Sequence, residues 1–139
     1  MKKLALLVTF AFIAFTTNAQ DDSGATVTVV IENVLSDGGT ILAGLHTADT
    51  FMKSDGIANA MAPATKGEVT LTFENVTPGT YAIMVMHDAN DNQRMDRQAN
   101  GMPTESYGMS GNEMSMGPPN FEAAKFEFGG DDQEFRIRF

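Results

Sequence analysis

Apolar and polar residues alternate along most of the chain with a period of two, which is typical of β-strands. No long amphipathic helical pattern follows residue 20. The alternation predicts strands at residues 26–33, 40–46, 68–73, 81–87, 121–128 and 134–139. In the 81–87 segment both faces are apolar, so we expect this strand to lie in the centre of a sheet.

Turn residues separate these predicted strands. Asp37-Gly38-Gly39 predicts a tight turn, so we expect the first two strands to pair as a hairpin. Pro78-Gly79 predicts a sharp reversal before the 81–87 strand, because proline presets φ and glycine accepts a positive φ. Residues 48–66 are rich in Ala, Met and Lys and are predicted to hold one short helical turn.

Six or seven short strands separated by turns predict an all-β fold. We expect an immunoglobulin-like or transthyretin-like sandwich of antiparallel strands, with a small open barrel as the alternative. Residues 88–120 form one long loop rich in Asn, Asp, Gly, Met and Pro. Long connections without periodic structure tend to be functional, so this loop is the first place to look for a site.

The first nineteen residues have the pattern of a cleaved secretory signal. Lys2 and Lys3 precede an apolar stretch at residues 4–15, and Thr17-Asn18-Ala19 supplies small residues before a cut at Gln20. The apolar stretch is shorter than the roughly 20 residues that span a membrane. We expect a single domain at residues 20–139, periplasmic or secreted, with no membrane span after cleavage.

Composition narrows the possible functions. The chain has a net charge of −9, and removing Lys2 and Lys3 leaves an even more acidic domain. Such a surface repels nucleic acid and anionic lipid. The chain has no cysteine, which excludes disulfides, thiol catalysis and cysteine-based iron–sulfur or zinc sites. The expected partner is a protein or glycan at the cell envelope.

The start of the long loop has the residue spacing of a calcium-binding loop. Short side chains with oxygen atoms recur at every second position, and calcium takes six to eight oxygen ligands. The expected ligands at positions 1, 3, 5, 7 and 9 are Asp88, Asn90, Asn92, the Arg94 carbonyl and Asp96.

Two positions depart from that pattern. Gln93 stands at position 6, where glycine is usual, and Ala99 stands at position 12, where glutamate is usual. Glu105 or Asp91 would have to supply the missing oxygen. We therefore expect a weak calcium site, with a dissociation constant of about 10⁻⁴ to 10⁻³ M. The alternative is that these residues form metal-free Asx-turns.

Two further kinds of metal chemistry are compatible with the sequence. His46 and His87 each end a predicted strand, so His87 with Asp88 would hold a catalytic metal for hydrolysis at the envelope if both histidines converge in one pocket. Absence of catalysis is the favoured expectation. Four methionines in the long loop would suit periplasmic copper, since thioethers select Cu(I). They are Met102, Met109, Met114 and Met116.

The sequence also resembles a bacterial family catalogued as domain of unknown function 2141. The resemblance rests on FENVTPGTYAIMVMHDANDN at 73–92, Asp96, GMPTESYG at 101–108, and short closing elements at 110–112, 119–121 and 124–126. It implies export and the shared fold, and no established activity. Gln93 replaces the usual glycine of the family, and Met109 replaces a usual aromatic residue.

Together these patterns predict an exported binding or structural module. Calcium at the 88–96 segment would order the long loop, and the ordered loop would form the recognition surface. Tyr107, Met109 and Phe121 are the residues expected to pack the loop onto the sandwich.

Overall fold

A computed structural model describes residues 24–111 and 118–139, in which eight strands and one short helix are found. The predicted signal sequence, Met114 and Met116 lie outside the described residues. The elements are β1 Ala25–Val34, β2 Thr40–His46, β3 Ala58–Pro63, β4 Gly67–Val76, β5 Gly79–Asp88, β6 Tyr107–Met109, α1 Phe121–Ala124, β7 Phe126–Phe128 and β8 Gln133–Arg138.

The strands form two packed sheets, so the predicted all-β sandwich is confirmed. One sheet has three strands in the order β4-β1-β8. The other has five, in the order β3-β2-β5-β6, with β7 also pairing with β5. The 81–87 segment is central, as expected, because β5 pairs with β2, β6 and β7. The β1–β8 pair is parallel, an exception to the antiparallel arrangement that the sequence predicted.

Alternation of side chains explains the core between the sheets. In β4, Val69, Leu71 and Phe73 are buried, whereas Thr70 and Thr72 are exposed. Strands with one apolar face bury that face against the opposite sheet. The fully buried aliphatic residues of this core are Val27, Val29, Ile31, Ile41, Leu45, Ile83, Val85 and Ile137.

The predicted hairpin between the first two strands is wrong. Strand β1 pairs with β4 and β8, while β2 pairs with β3 and β5. Both edges of β1 are therefore occupied, and the turn at residues 35–39 carries the chain from one sheet to the other. The alternation within each strand is correct in the prediction, but alternation alone does not say which strands are neighbours.

The predicted strand at residues 121–128 begins instead as the helix α1. The Asn120 side chain accepts a hydrogen bond from the Ala123 N–H at 2.9 Å, which caps the helix. Only Phe126–Phe128 is extended, as β7. The local cap overrides the alternating phenylalanines, which by themselves suggested one long strand.

Two short strands were not predicted. Strand β3 lies in the 48–66 segment, where the sequence suggested a helical turn, and it forms one edge of the five-stranded sheet. Its last residue, Pro63, is tolerated because an edge strand leaves one side unpaired. The three-residue strand β6 lies inside the predicted long loop. Both are too short or too irregular to show a clear period of two.

A second apolar cluster lies on the other face of the five-stranded sheet. Phe51, Ala82, Met109 and Ala124 are its buried members, and Phe121 packs against them. Met109, within the long loop, and Phe121, directly after it, thus pack against the five-stranded sheet, as the sequence led us to expect. Among the described residues, no helix has the length and apolar character needed to cross a membrane.

Buried Ser110 ties this second cluster together. Its Oγ donates to the Ala124 carbonyl at 2.5 Å and accepts the Ile83 N–H at 2.9 Å. One hydroxyl therefore joins the end of β6 to both β5 and α1.

We expect Ile137→Ala to lower the free energy of unfolding by about 2–5 kcal/mol, because it leaves a cavity at a fully buried position in the core. Chemical denaturation measures this change. Thr72→Ala, on the exposed face of β4, is the control and is expected to change stability by less than about 0.5 kcal/mol. Equal effects of the two substitutions would contradict the burial of β8.

Candidate functional site

The long loop starts at Asp88, the last residue of β5, whose side chain is only 1% exposed. Its Oδ1 accepts the Asn92 N–H at 3.1 Å, and its Oδ2 accepts the Gln93 N–H at 2.6 Å. A buried carboxylate is costly unless hydrogen bonds compensate for the lost water. Both oxygens of Asp88 are used in this way, and the chain folds back over the strand end as a result.

The fold-back requires left-handed backbone at two residues that are not glycine. Asp91 has φ of 56° and Gln93 has φ of 59°. Left-handed backbone costs an ordinary residue about 1–2 kcal/mol. Gln93 therefore takes the conformation that the usual glycine at position 6 would take, so its presence does not remove the tight turn.

The amide side chains of this loop converge on Asp96. Asn90 Nδ2 donates to Asp96 Oδ2 at 2.7 Å. Asn92 Nδ2 donates to Oδ1 and Oδ2 of the same carboxylate at 3.0 and 3.1 Å. The structure thus brings together three of the residues that the sequence proposed as ligands, with Asp88 bonded to the backbone of the same turn.

The remaining proposed residues have separate contacts. Glu105 accepts the N–H groups of Ala89 and Asp96 at 3.0 and 3.1 Å, and so joins the two ends of the loop. Asp91 points away and accepts the Thr40 hydroxyl at 2.6 Å. Arg94 is exposed, and its N–H donates to Asn92 Oδ1 at 2.9 Å.

In the described parts of the chain, no group of three or more His, Cys, Asp or Glu side chains is arranged to hold a metal ion. An ion bound at the loop would therefore depend on amide and carbonyl oxygens as well as carboxylates. Such a ligand set suits a hard cation such as calcium and does not suit zinc.

The turn between β1 and β2 packs against the end of β5, where the loop begins. Gly39 has φ of 82°, and a Cβ at this position would lie 2.1 Å from the Asp88 carbonyl oxygen. His87 Nε2 lies 2.6 Å from the Gly38 carbonyl oxygen. Glycine is needed at position 39 for both its backbone conformation and the close approach of Asp88.

The two histidines lie on opposite faces of the five-stranded sheet. His87 shares the core-facing side of β5 with Ile83 and Val85, and its ring stacks on Phe139 with centroids 6.4 Å apart. His46 lies on the other face, edge-on to Phe51 at 5.9 Å. The two histidines therefore do not meet in one pocket, although the proposed hydrolytic site required them to do so.

A cleft of about 720 Å³ opens on the outer face of the same sheet. Six of the seven methionines in the described residues line it. They are Met52, Met61, Met84, Met86, Met95 and Met102. Of the four methionines proposed for copper, Met102 lines the cleft, whereas Met109 is buried in the second apolar cluster.

Strands β2 and β5 carry a sequence signal for this cleft. Met84 and Met86 alternate with the core residues of β5, and Leu42 occupies the matching face of β2, opposite Met86. An apolar outer face on a central strand is normally either covered by another part of the chain or used to bind a ligand. The covering segments 93–103 come from the long loop and are remote in sequence from β2.

Comparison with known proteins identifies the family. The chain matches the family described as "Uncharacterized protein conserved in bacteria (DUF2141)" over residues 29–136. The protein belongs to the DUF2141 family. No curated protein and no solved structure matches it. The matched residues of this DUF2141 protein include the loop that begins at Asp88 and most of the cleft.

His46 of this DUF2141 protein is a buried ionisable group. Burial lowers the pKa of the ring below its ordinary value, while the Thr50 backbone and the Asp55 carboxylate have smaller effects in the opposite direction. The side chain is 8% exposed, and its Nδ1 makes no hydrogen bond of normal geometry. His46 is therefore held in its neutral form near pH 7.

We expect the stability of the DUF2141 protein to fall as the pH drops below about 6.5, the pKa of an unfolded histidine. The unfolded chain binds a proton at His46 in this range, whereas the folded chain resists it, so acid favours unfolding. Urea unfolding of the wild type and of His46→Phe at pH 7.5 and 5.5 measures the effect. The variant is expected to lose less stability on acidification; an equal loss would exclude this role for His46.

Proposed function

We propose that this protein is an exported binding or structural module in which calcium orders the 88–96 loop. The observation that carries the proposal is the convergence of the Asn90 and Asn92 amides on the Asp96 carboxylate, at 2.7 to 3.1 Å. Oxygen ligands at 2.3–2.6 Å from a calcium ion lie about 3 Å from each other. The three side chains therefore have the spacing of neighbouring ligands.

The orientation of the two amides is compatible with this proposal. The oxygen and nitrogen of an asparagine side chain exchange places when the amide rotates by half a turn. Beside a cation, the oxygens of Asn90 and Asn92 would turn toward the ion and give up the N–H groups of Asn92 and Arg94 that they accept here, and Asp96 would balance part of the ion's charge. With no ion, the same side chains satisfy each other as donors and acceptor.

Preorganisation of the backbone supports the same conclusion. The Asp88 carboxylate bonds to the backbone at positions 5 and 6 of the loop, and Gln93 has the left-handed conformation that position 6 requires. Glu105 fixes both ends of the loop through the N–H groups of Ala89 and Asp96. Calcium would then order mainly the side chains of Asn90, Asn92 and Asp96, because the backbone of the loop is already held at these points.

Calcium at this position would stabilise one wall of the cleft. Gln93 and Met95 belong to the loop segment and also line the cleft, and Arg97 follows directly. An ordered loop would thus hold a recognition surface in place. The function proposed is binding of a molecule at the cell envelope, with calcium as a structural ion.

We expect 10 mM calcium to stabilise the purified protein by about 1.4 to 2.7 kcal/mol relative to chelator, for a dissociation constant of about 10⁻³ to 10⁻⁴ M. A ligand that binds only the folded state must raise the thermal midpoint, here by several degrees. Differential scanning calorimetry with calcium and with chelator measures the shift.

The substitution Asp96→Asn is expected to remove the shift, because it deletes the carboxylate on which the amides converge. Asp91→Asn is the matched control, since it removes the same charge from the same loop while Asp91 contacts Thr40 instead. A midpoint unchanged by calcium in the wild type would leave metal-free Asx-turns as the correct description of the loop.

Export is a separate part of the proposal and rests on the first nineteen residues. We expect the mature protein recovered from a bacterial host to begin at Gln20, because Thr17-Asn18-Ala19 has the small residues that signal peptidase requires. Mass spectrometry of the intact protein checks the cut. Recovery of the uncleaved chain in the cytoplasm would contradict export.

A further inference from the structure

The cleft on the five-stranded sheet has an apolar floor. Leu42, Met84 and Met86 contribute side chains from two neighbouring strands, and Tyr107 adds an aromatic ring from β6. Its volume of about 720 Å³ falls within the range of pockets that bind small organic molecules. Methionine side chains are flexible and polarisable, so such a floor adapts to ligands of irregular shape.

The rim of the cleft carries exposed apolar side chains. Five large apolar residues are strongly exposed in the described residues, and three of them, Met52, Met61 and Met102, line the cleft. Leu35 and Ile57, the other two, do not. Clustered exposed apolar residues mark binding sites more reliably than scattered ones do.

One end of the cleft is polar and surrounds Gly44. A Cβ at Gly44 would lie 2.7 Å from His46 Nε2 and 3.4 Å from Asn59 Oδ1, so both polar atoms lie next to this glycine. The φ of Gly44 is not in the left-handed region, so its backbone conformation does not require glycine. The glycine instead leaves room for the His46 ring, whose Nε2 would lie too close to a Cβ.

The polar atoms at this end are able to accept hydrogen bonds. Asn59 uses its Nδ2 to donate to the Gly56 carbonyl, which leaves Oδ1 free to accept. A neutral imidazole accepts at Nε2 when its proton is on Nδ1. His46 is more than nine-tenths buried, and no hydrogen bond of normal geometry to its Nδ1 is present. The pair therefore suits a ligand that donates a hydrogen bond.

We propose that this cleft binds a neutral small molecule with an apolar body and one hydrogen-bond donor, the donor directed at His46 Nε2 and Asn59 Oδ1. The ligand's apolar body lies along Leu42 and Met86. A neutral ligand fits because the chain's net charge of −9 disfavours anions, and because, among the described residues, the cleft is lined by one cation, Arg97, and one carboxylate, Asp55, which offset each other. This inference deepens the proposed binding function and does not depend on calcium.

The alternative occupant is Cu(I), since six methionines and a histidine line the cleft. A copper ion needs two to four such ligands around one point. A space of about 720 Å³ is instead large enough for a molecule of many atoms. The volume therefore favours an organic ligand.

The test uses N-phenyl-1-naphthylamine, a neutral fluorescent probe with an apolar body and one N–H donor. We expect saturable fluorescence enhancement on the purified protein, with one site and a dissociation constant on the order of 10 µM. His46→Phe, which keeps the ring and removes its acceptor, is expected to weaken binding about five-fold.

Met61→Glu is the decisive variant, because Met61 lines the cleft and is 63% exposed, so the substitution leaves the core intact. It is expected to weaken probe binding about tenfold, since a charge then faces the apolar body. Leu35→Glu is the matched control: Leu35 is 64% exposed, lies away from the cleft, and gains the same charge. It is expected to bind the probe as the wild type does.

The proposal is overturned if the folded protein shows no saturable binding, or if Met61→Glu binds the probe as well as Leu35→Glu does. Retention of Cu(I) that Met61→Glu abolishes, with no probe binding, also overturns it. Running each titration with calcium and with chelator separates the two sites. Probe binding with no calcium-induced rise in the thermal midpoint supports the ligand site in the cleft and contradicts the calcium site. A calcium-induced rise in the midpoint with no probe binding supports the calcium site and overturns the ligand site.

Discussion

A carboxylate buried at the end of a central strand needs hydrogen-bond donors in place of water, and Asp88 finds them in its own following loop. The N–H groups of Asn92 and Gln93 reach it only if the chain turns back at once. That turn forces Asp91 and Gln93 into left-handed backbone. The local shape of the candidate calcium loop is therefore a consequence of one buried charge.

The buried Asp88 also constrains the turn between β1 and β2, which connects the two sheets. Gly39 must lack a Cβ because the Asp88 carbonyl approaches it, and Thr40 donates to Asp91 from the start of β2. The turn that connects the two sheets and the loop after β5 therefore contact each other and hold each other in place. Glu105 then closes the loop by accepting two N–H groups at its ends.

Sequence alone was sufficient for most of the strands and for the grouping of polar side chains in the loop after β5. Val69, Leu71 and Phe73 have a period of two that burial confirms, and Asn90 and Asn92 do lie with Asp96. Pairing and the cleft were not predictable in this way. Both depend on contacts between segments far apart in the chain, and alternation within a strand carries no information about its neighbours.

The two apolar faces of β5 account for the separation between the core and the cleft. Tyr81, Ile83 and Val85 face the opposite sheet, so Met84 and Met86 are left on the outside. In a two-layer sandwich an outer face normally contacts water and is polar. Here the second apolar cluster covers one part of it, with Met84 packed against the buried members. The remaining part, around Met86, is the floor of the cleft. An apolar surface of this kind has a cost in water that a bound apolar molecule would relieve, and this is the physical reason to place the proposed binding function on that face.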